Sequence, residues 1–317
     1  MRHWTHDYYT SQIEHKPVRF VVSLSSGVPS AVAGDLMLKH FGKGQVEMLF
    51  ADTLVEDADN YRFLNDLKQR WQVPITRLCE GRTPLQVSED ASIIPNQRIA
   101  PCTFKLKIKP IMDYVKALSA DYTVVMVLGM DHKDKRRGRL SAPIRNYKSI
   151  GVNVFYPLLM YKVYDAQDYC KSAMNLQPPR MYTWGYKHAN CGGACVKQGN
   201  RDWKRTLTYK PDLFAEYEAW EQGMHGKSDH FKPFGFLRDT STGVTKGKTL
   251  KTLRAEIDGL TQDTLPLFAI NDELEHGCTT GECGVNADWQ GGDVAVLYDE
   301  IKRDYDGKMM SEGATNE

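Results

Sequence analysis

Five of the seven cysteines sit in loops marked by glycine or proline. Cys191 and Cys195 flank three residues in "NCGGACVKQG", Cys278 and Cys283 lie in "HGCTTGECGV", and Cys102 follows Pro101. Thiolates at such short spacing in a pliable loop can chelate one metal ion or cluster. Three or four of the five would complete a [4Fe–4S] or tetrahedral zinc site. The competing reading is a set of scattered free thiols. His188 is a candidate fourth ligand, or a loop histidine that only hydrogen-bonds. Cys79, in a strand-like run, and Cys170, in a helix-like run, have more structural surroundings.

A second chemical stretch is "FVVSLSSGVPSAVAGDLML", Phe20 to Leu38. It begins as a buried strand and ends as a helix, so backbone N–H groups and the positive end of the helix dipole converge on the turn between them. Gly27 would let the backbone approach an anion, and the hydroxyls of Ser23, Ser25 and Ser30 would add donors. A serine-rich helix cap is the plainer alternative. The turn lacks the Gly-Lys-Ser/Thr of a Walker loop. Farther on, His132, Lys133, Lys135, Arg136, Arg137 and Arg139 follow the strand that ends at Gly129. Guanidinium groups suit phosphate and sulfate because they bind bidentately, although a charge run is more often a solvated surface. Asp52, at the tip of another strand, could meet a ribose hydroxyl or Mg²⁺, or cap a helix as Asp57 and Asp59 could.

These groups need a frame. "VRFVVSLS", "VEMLFADT", "VPITRLCEG" and "YTVVMVLGM" read as strands, and helical patterns follow them, as in "SAVAGDLMLKHFG" and "DADNYRFLNDLKQRWQ". The second of these helices has Tyr61, Leu64, Leu67 and Trp71 on one face. Strands alternating with helices predict an α/β fold, a doubly wound and mainly parallel sheet, with ligands at the carboxyl ends of the strands. "YPLLMYKVYDAQDYCKSAM" and "WKRTLTYKPDLFAEYEAWEQ" read as helices around the first cysteine loop, and "TLKTLRAEIDGL" as one more. The expected division is an α/β nucleotide-binding domain over 1–165, a helical segment with a cysteine loop over 166–225, and a C-terminal extension over 226–317 that carries Cys278 and Cys283. With 317 residues, 41% of them apolar, the chain can bury a sizeable core, and no run approaches the length of a membrane span. A net charge of +1 argues against wholesale coating of nucleic acid but leaves room for a local basic patch. The amino-terminal "MRHWTHDYYTSQIEHK" does not read as a signal peptide, and an odd cysteine count fits a reducing, cytoplasmic setting.

Six segments in order, from Val18 to Val196, resemble the PP-loop ATP pyrophosphatase and phosphoadenosine phosphosulfate (PAPS) reductase superfamily. "SLSSGVPSA" resembles its Ser-Gly-Gly-x-x-Ser loop, and "LFADTLVEDADNYRFLNDL" its Asp-Thr strand end and acidic helix. "PCTFKLKIKPI" is similar to Cys-Thr-x-x-Leu-Lys-x-x-Pro, with Leu106-Lys107 as the Leu-Lys. "LGMDHKDKRRGRL", "YPLLMYKVYDAQDY" and "PPRMYTWGYKHANCGGACVKQG" stand where the superfamily has its Gly-x-Arg, Tyr-Pro-Leu and Gly-Tyr segments. Val28, Pro29 and Asp131 depart from the usual pattern.

The resemblance to the PAPS reductase-like and DndC-like group, the latter being ATP pyrophosphatases of DNA phosphorothioation, implies an adenine nucleotide site. Its residues would be Ser23, Ser25, Ser26, Gly27, Ser30, Asp52, Lys107 and Gly129. Arg136, Arg137 and Asp52 would act in catalysis, with Mg²⁺ on the phosphates. Cys102, Cys191 and Cys195, with Cys278 or Cys283, would hold iron–sulfur or zinc. Two reactions follow. In one, ATP is cleaved to AMP and pyrophosphate and an acceptor (tRNA, DNA or a small molecule) is adenylated or thiolated with help from a sulfur donor. In the other, Cys283, in a "GECGV" that resembles the Glu-Cys-Gly motif of sulfonucleotide reductases, attacks PAPS or APS, and a thioredoxin-like reductant completes the cycle. A non-catalytic nucleotide sensor or complex subunit is the third reading.

Overall fold

The structure, a computed structural model, describes residues 16–240 and 243–263. Five parallel strands form the main sheet: β1 Val18–Leu24, β2 Val46–Asp52, β3 Ile75–Cys79, β4 Thr123–Val127 and β5 Asn153–Phe155. Their order is β3-β2-β1-β4-β5, with Phe20 of β1 paired to Val46 on one side and Val125 on the other. The chain therefore leaves β1 in one direction to build β2 and β3, and returns to the opposite edge for β4 and β5. That reversal opens a crevice at the carboxyl ends of β1 and β4.

Both faces of the sheet are covered, so its strands are apolar on both sides. One face buries Phe20, Val22 and Leu24 under α1 Val28–Phe41 and α2 Ala58–Trp71. The other buries Val21, Leu49, Val124 and Met126 under α4 Lys109–Leu118 and α6 Ser141–Lys148, and α3 (Pro84–Asp90) and α5 (His132–Arg136) lie between these in the chain. Local signals fix the helix ends. Pro29 opens the first turn of α1, and Gly42, at φ 75°, closes it with its N–H on Leu38. Asp57 caps α2 by accepting from Asp59 N–H.

The predicted helix through "YPLLMYKVYDAQDYCKSAM" is two helices, α7 Pro157–Met160 and α8 Ala166–Ser172. Asp165 accepts from the N–H groups of Gln167 and Asp168 and so starts a new helix. The basic run after Gly129 is also not an open loop. Asp131 and Asp134 form a reciprocal capping box that folds it into α5.

A third core joins residues distant in sequence. Trp203, Phe214 and Tyr217, from α9 Asn200–Tyr209 and α10 Pro211–Lys227, pack with Phe236, Leu250 and Leu253 and with Leu85, Cys102 and Leu106. Leu250 and Leu253 belong to α11 Leu250–Asp263, which follows a short hairpin, β6 Leu237–Asp239 and β7 Lys246–Lys248, not anticipated from the polar sequence there. The buried carboxyl of Glu221 ties this corner together by accepting from Phe236 N–H at 2.8 Å and Leu250 N–H at 2.7 Å.

Burial pushes Glu221 up to about 7, against the pull of those two N–H groups. The folded chain therefore holds a proton on Glu221 that the unfolded chain gives up near an ordinary carboxyl pKa. This contribution is complete at low pH and is lost as pH rises through about 7. At about 1.4 kcal/mol per pH unit, the loss is on the order of 3 kcal/mol. Thermal unfolding of wild type against Glu221→Gln between pH 4.5 and 8 checks this: the wild-type advantage shrinks as pH rises. A difference that grows with pH would show that the carboxylate form is the stabilising one.

Candidate nucleotide and thiol site

A cavity of about 550 Å³ fills the crevice at the switch in strand order. Its phosphate-loop side is Ser23, Ser25, Pro29 and Ser30. Ser30 Oγ donates to Gly27 O at 2.8 Å and accepts from Ser25 N–H at 3.0 Å, which sets the turn. Gly129 forms the opposite lip, and a Cβ there would lie 2.5 Å from Ser30 N and 2.6 Å from Pro29 C and O. Only glycine permits that approach. Leu128, Met130, Ile111 and Tyr147 make an apolar wall suited to a base, and Lys107, Lys133, Arg137 and Lys187 bring positive charge to the same space.

The loop offers an anion fewer N–H groups than its sequence suggests. Pro29 has none, and Val28 N–H donates to the hydroxyl of Tyr182 at 3.1 Å. Ser26 is buried and turned away, its backbone left-handed at φ 57° and its Oγ donating to Ser25 O. Gly27 also lies behind the lip, against the Tyr182 hydroxyl. Ser23, Ser25, Ser30, Gly129, Lys107 and Arg137 therefore share one cavity, whereas Ser26 and Gly27 support it from behind. Arg136 does not line it.

Asp52 stands apart. It is buried and accepts from Leu54 N–H at 2.8 Å, Tyr61 OH at 2.9 Å and Arg77 Nε at 2.8 Å. Both carboxylate oxygens are engaged in bracing the turn after β2, and neither faces the cavity. Arg77 is on the neighbouring strand, a partner no local spacing announces.

Next to this cavity lies a chamber of about 20 Å³, lined by Cys102, Cys191 and Cys195 together with Lys107 and Lys197. Lys107 and Asn190 belong to the walls of both spaces. The chain reaches this arrangement through a π-helical turn, Thr103–Ile108, that Cys102 precedes and that runs into α4. Cys191 is left-handed at φ 51°, and Gly192 lies so close to Val55 that a Cβ would be 2.5 Å from its carbonyl oxygen.

The charges in the chamber are interdependent. Burial alone would pull the Lys107 ammonium down, but Glu56, with an oxygen 3.5 Å away, and then the thiols hold it above its ordinary value. Cys191 hydrogen-bonds Cys195; that contact and burial raise Cys191, while the same bond, against burial and aided by His188, lowers Cys195. Burial, with Cys195 beside it, pushes the Cys102 thiol up to about 11.

Three soft cysteine sulfurs around a fixed ammonium suit an anionic thiolate-ligated metal or cluster, whose binding would have to release the protons of Cys102 and Cys191. The buried hydroxyl of Tyr217, which has no hydrogen-bond partner among the described residues, lies within electrostatic reach of all three thiols. The thiols are not drawn into coordinating positions: among the described residues no group of three or more His, Cys, Asp or Glu is placed to hold a metal ion. His188 lines the larger cavity, and its Nδ1 accepts from Asn190 N–H. Cys278 and Cys283 lie outside the described residues.

A family model for the phosphoadenosine phosphosulfate reductase domain matches residues 19–193, more than half of the chain. The chain belongs to the PAPS reductase domain family. The match runs from β1 through the serine loop, Lys107 and Gly129 to Cys191, and stops before Cys195. Among solved structures, the phosphate complex of the PAPS reductase from Candida auris shows 14% identity over 53% of this chain and 78% of that chain, with a TM-score of 0.37. No curated protein matches. Among the described residues no helix is long and apolar enough to cross a membrane.

Two substitutions separate support from contact in this PAPS reductase domain. Asp52→Asn removes one strong acceptor and is expected to lower stability by about 1–3 kcal/mol in denaturant unfolding, with nucleotide affinity unchanged within about twofold. A tenfold loss of affinity in a folded Asp52→Asn protein would place Asp52 on the ligand. Gly129→Ala forces β4 and the serine loop apart, with an expected cost of about 1–3 kcal/mol or more, and it weakens nucleotide binding along with stability.

Proposed function

We propose that this chain is a nucleotide-dependent enzyme that binds ATP in the switch-point cavity, cleaves it between the α and β phosphates, and adenylates an acceptor that then receives sulfur. The observation that carries this reading is the shared wall. A nucleotide-sized cavity and a three-thiol chamber meet at Lys107 and Asn190.

The hydroxyls of Ser23 and Ser25 take the departing pyrophosphate, Ser30 keeps its hydrogen on Gly27 O and holds the turn, and Lys133, Arg137 and Lys187 neutralise charge as the α–β bond breaks. Mg²⁺ on the phosphate oxygens needs few protein ligands. Asp131 and Asp134 are the carboxylates at the rim, where they also cap α5. Cys102, Cys191 and Cys195 are the residues that would hold a [4Fe–4S] cluster or zinc. Such a group, when bound, supplies an open coordination position for sulfur or a structural tie between loops. The acceptor is a nucleic acid (tRNA or DNA) or a small molecule that reaches the basic rim.

A second reading draws on the fate of Asp52. With that carboxylate bound to Arg77 and Tyr61, the cavity is richer in cations than in acids, which suits a sulfonucleotide and metal-free chemistry. The Cys283 thiolate would attack the sulfonyl sulfur of PAPS or APS, forming an S–S bond and releasing the nucleotide phosphate. A thioredoxin-like dithiol would then attack the cysteine sulfur, releasing sulfite and ending as its own disulfide.

Anaerobically purified protein decides between them. Pyrophosphate release from ATP is expected, reduced about 100-fold in Arg137→Ala and unaffected in Cys283→Ser. Sulfite release from PAPS or APS with thioredoxin, abolished by Cys283→Ser, would replace this reading with the second. Tight nucleotide binding with neither product would leave a sensor or a subunit of a larger complex.

A further inference from the structure

Two loops of the site each contain a residue other than glycine in the left-handed region, Ser26 at φ 57° and Cys191 at φ 51°. Such residues are uncommon and persist where the surroundings hold them. The same two buried side chains hold both.

Asn60, fully buried in α2, points its amide nitrogen at Ser26 Oγ (3.2 Å), at Glu56 Oε2 (3.2 Å) and at the carbonyl of Ala189. Ser26 Oγ spends its own hydrogen on Ser25 O, so it must accept from Asn60. All three neighbours are acceptors, which fixes the amide orientation, because a flip would set its oxygen against a carboxylate and a carbonyl. Glu56 continues the chain. Its Oε2 accepts from Cys191 N–H at 2.8 Å, and its Oε1 accepts from Thr53 Oγ1 at 3.1 Å and faces Lys107.

The path from the serine loop to the thiol loop is thus Ser26, Asn60, Glu56, Cys191, with every link buried. Asn60 Oδ1 has no partner among the described residues, where the amide is held by its donors. Gly192 closes on the Val55 carbonyl beside it, which leaves the thiol loop little freedom to move independently of the segment that bears Glu56.

We propose that Asn60 and Glu56 are positioning residues that make the serine loop and the Cys191–Cys195 loop one mechanical unit, so that occupancy of the first sets the order of the second. An anion drawn into the serine loop shifts Ser26. The shift passes to Asn60, and through Glu56 it reaches the hydrogen bond that holds Cys191 in its left-handed turn. Buried polar links of this kind transmit because neither partner can turn to water when the other moves. The nucleotide half of this statement rests on the function proposed above; the coupling of the loops does not.

Hydrogen–deuterium exchange by mass spectrometry tests it, read on peptides that cover 23–30, 188–196 and, as a control, α9 and α10. In nucleotide-free protein, Asn60→Ala is expected to speed exchange in 188–196 about tenfold, the effect of one lost buried hydrogen bond, while the control peptides stay protected. Ser26→Gly suits the left-handed backbone and cuts the link at its far end, so it keeps the test alive if Asn60→Ala does not fold. It too speeds 188–196, with which Ser26 makes no direct hydrogen bond. Unchanged exchange there in Ser26→Gly overturns the proposal, as does acceleration spread equally over the controls. Added ATP or PAPS slows both loops in wild type, and in Asn60→Ala it slows 23–30 fully but 188–196 only as far as direct contact at His188 and Asn190 accounts for. Binding seen by calorimetry with no change in 188–196 of wild type also overturns it. If calorimetry finds no binding, the proposed function fails, and the nucleotide-free comparison alone decides the coupling.

Discussion

The backbone of Gly129 meets Pro29 and Ser30 so closely that a single methyl group has no room between them. That contact is where the two halves of the sheet, built outward from β1 in opposite directions, are joined at their carboxyl ends. It sets the width of the crevice and hence the shape of the cavity. The apolar wall follows from β4, buried from Val124 to Val127, and from Leu128 and Met130 just beyond it, which are buried where they line the cavity. Two of the cations, Lys133 and Arg137, follow from α5, which the Asp131 capping box starts directly beyond that lip. One backbone approach thus places a base-sized wall, a serine turn and a positive rim around the same space.

The thiol chamber depends on a different constraint. Cys102 leads into the π-helical turn that continues as α4, whereas Cys191 lies in a short glycine-rich turn whose backbone is irregular. The third core supplies the order: Leu85, Leu106, Ala194 and Val196 pack against Trp203 and its aromatic neighbours and bring the cysteines to one place. A buried ammonium among them is tolerable only with a carboxylate at hand, and Glu56 provides it. The helical part of the chain is therefore part of the site's wall, and its boundary with the α/β part cannot be drawn at a single residue. α8, beyond residue 165, packs on α1, while α3 and the π turn, well before it, contribute to the third core.

What the sequence disclosed and what it concealed divide along sequence distance. The β1 turn, the strand ending at Gly129 and the amphipathic α2 each declare themselves within a dozen residues, by apolar runs and helical spacing. Cys102, Cys191 and Cys195 could be grouped because loop cysteines are few and the family order was visible. Asp52 could not be read correctly from its neighbourhood, since Arg77 reaches it across a strand pairing and Tyr61 from the next helix. Tyr182, which takes the Val28 N–H, comes from 154 residues away. Glu56 and Asn60 carried no sequence signal of their own; only folding reveals that they are buried. The break at Asp165 was local and legible, as a capping residue inside an apolar pattern.

The loop itself shows why departures from a motif need not abolish a site. Ser26 in place of a glycine costs strain, but its hydroxyl gains Asn60 as a partner. Pro29 removes a donor and presets the first turn of α1. With Val28 N–H given to Tyr182, the loop relies less on backbone dipoles and more on hydroxyls and on Lys107, Lys133, Arg137 and Lys187. Backbone donors act at contact range and discriminate by geometry. Side-chain cations act over about a Debye length, ~10 Å at ordinary ionic strength, and discriminate mainly by charge. A pocket weighted this way selects for anionic ligands broadly, and its choice among nucleotides falls to the apolar wall and to whatever group can lie beside the thiols.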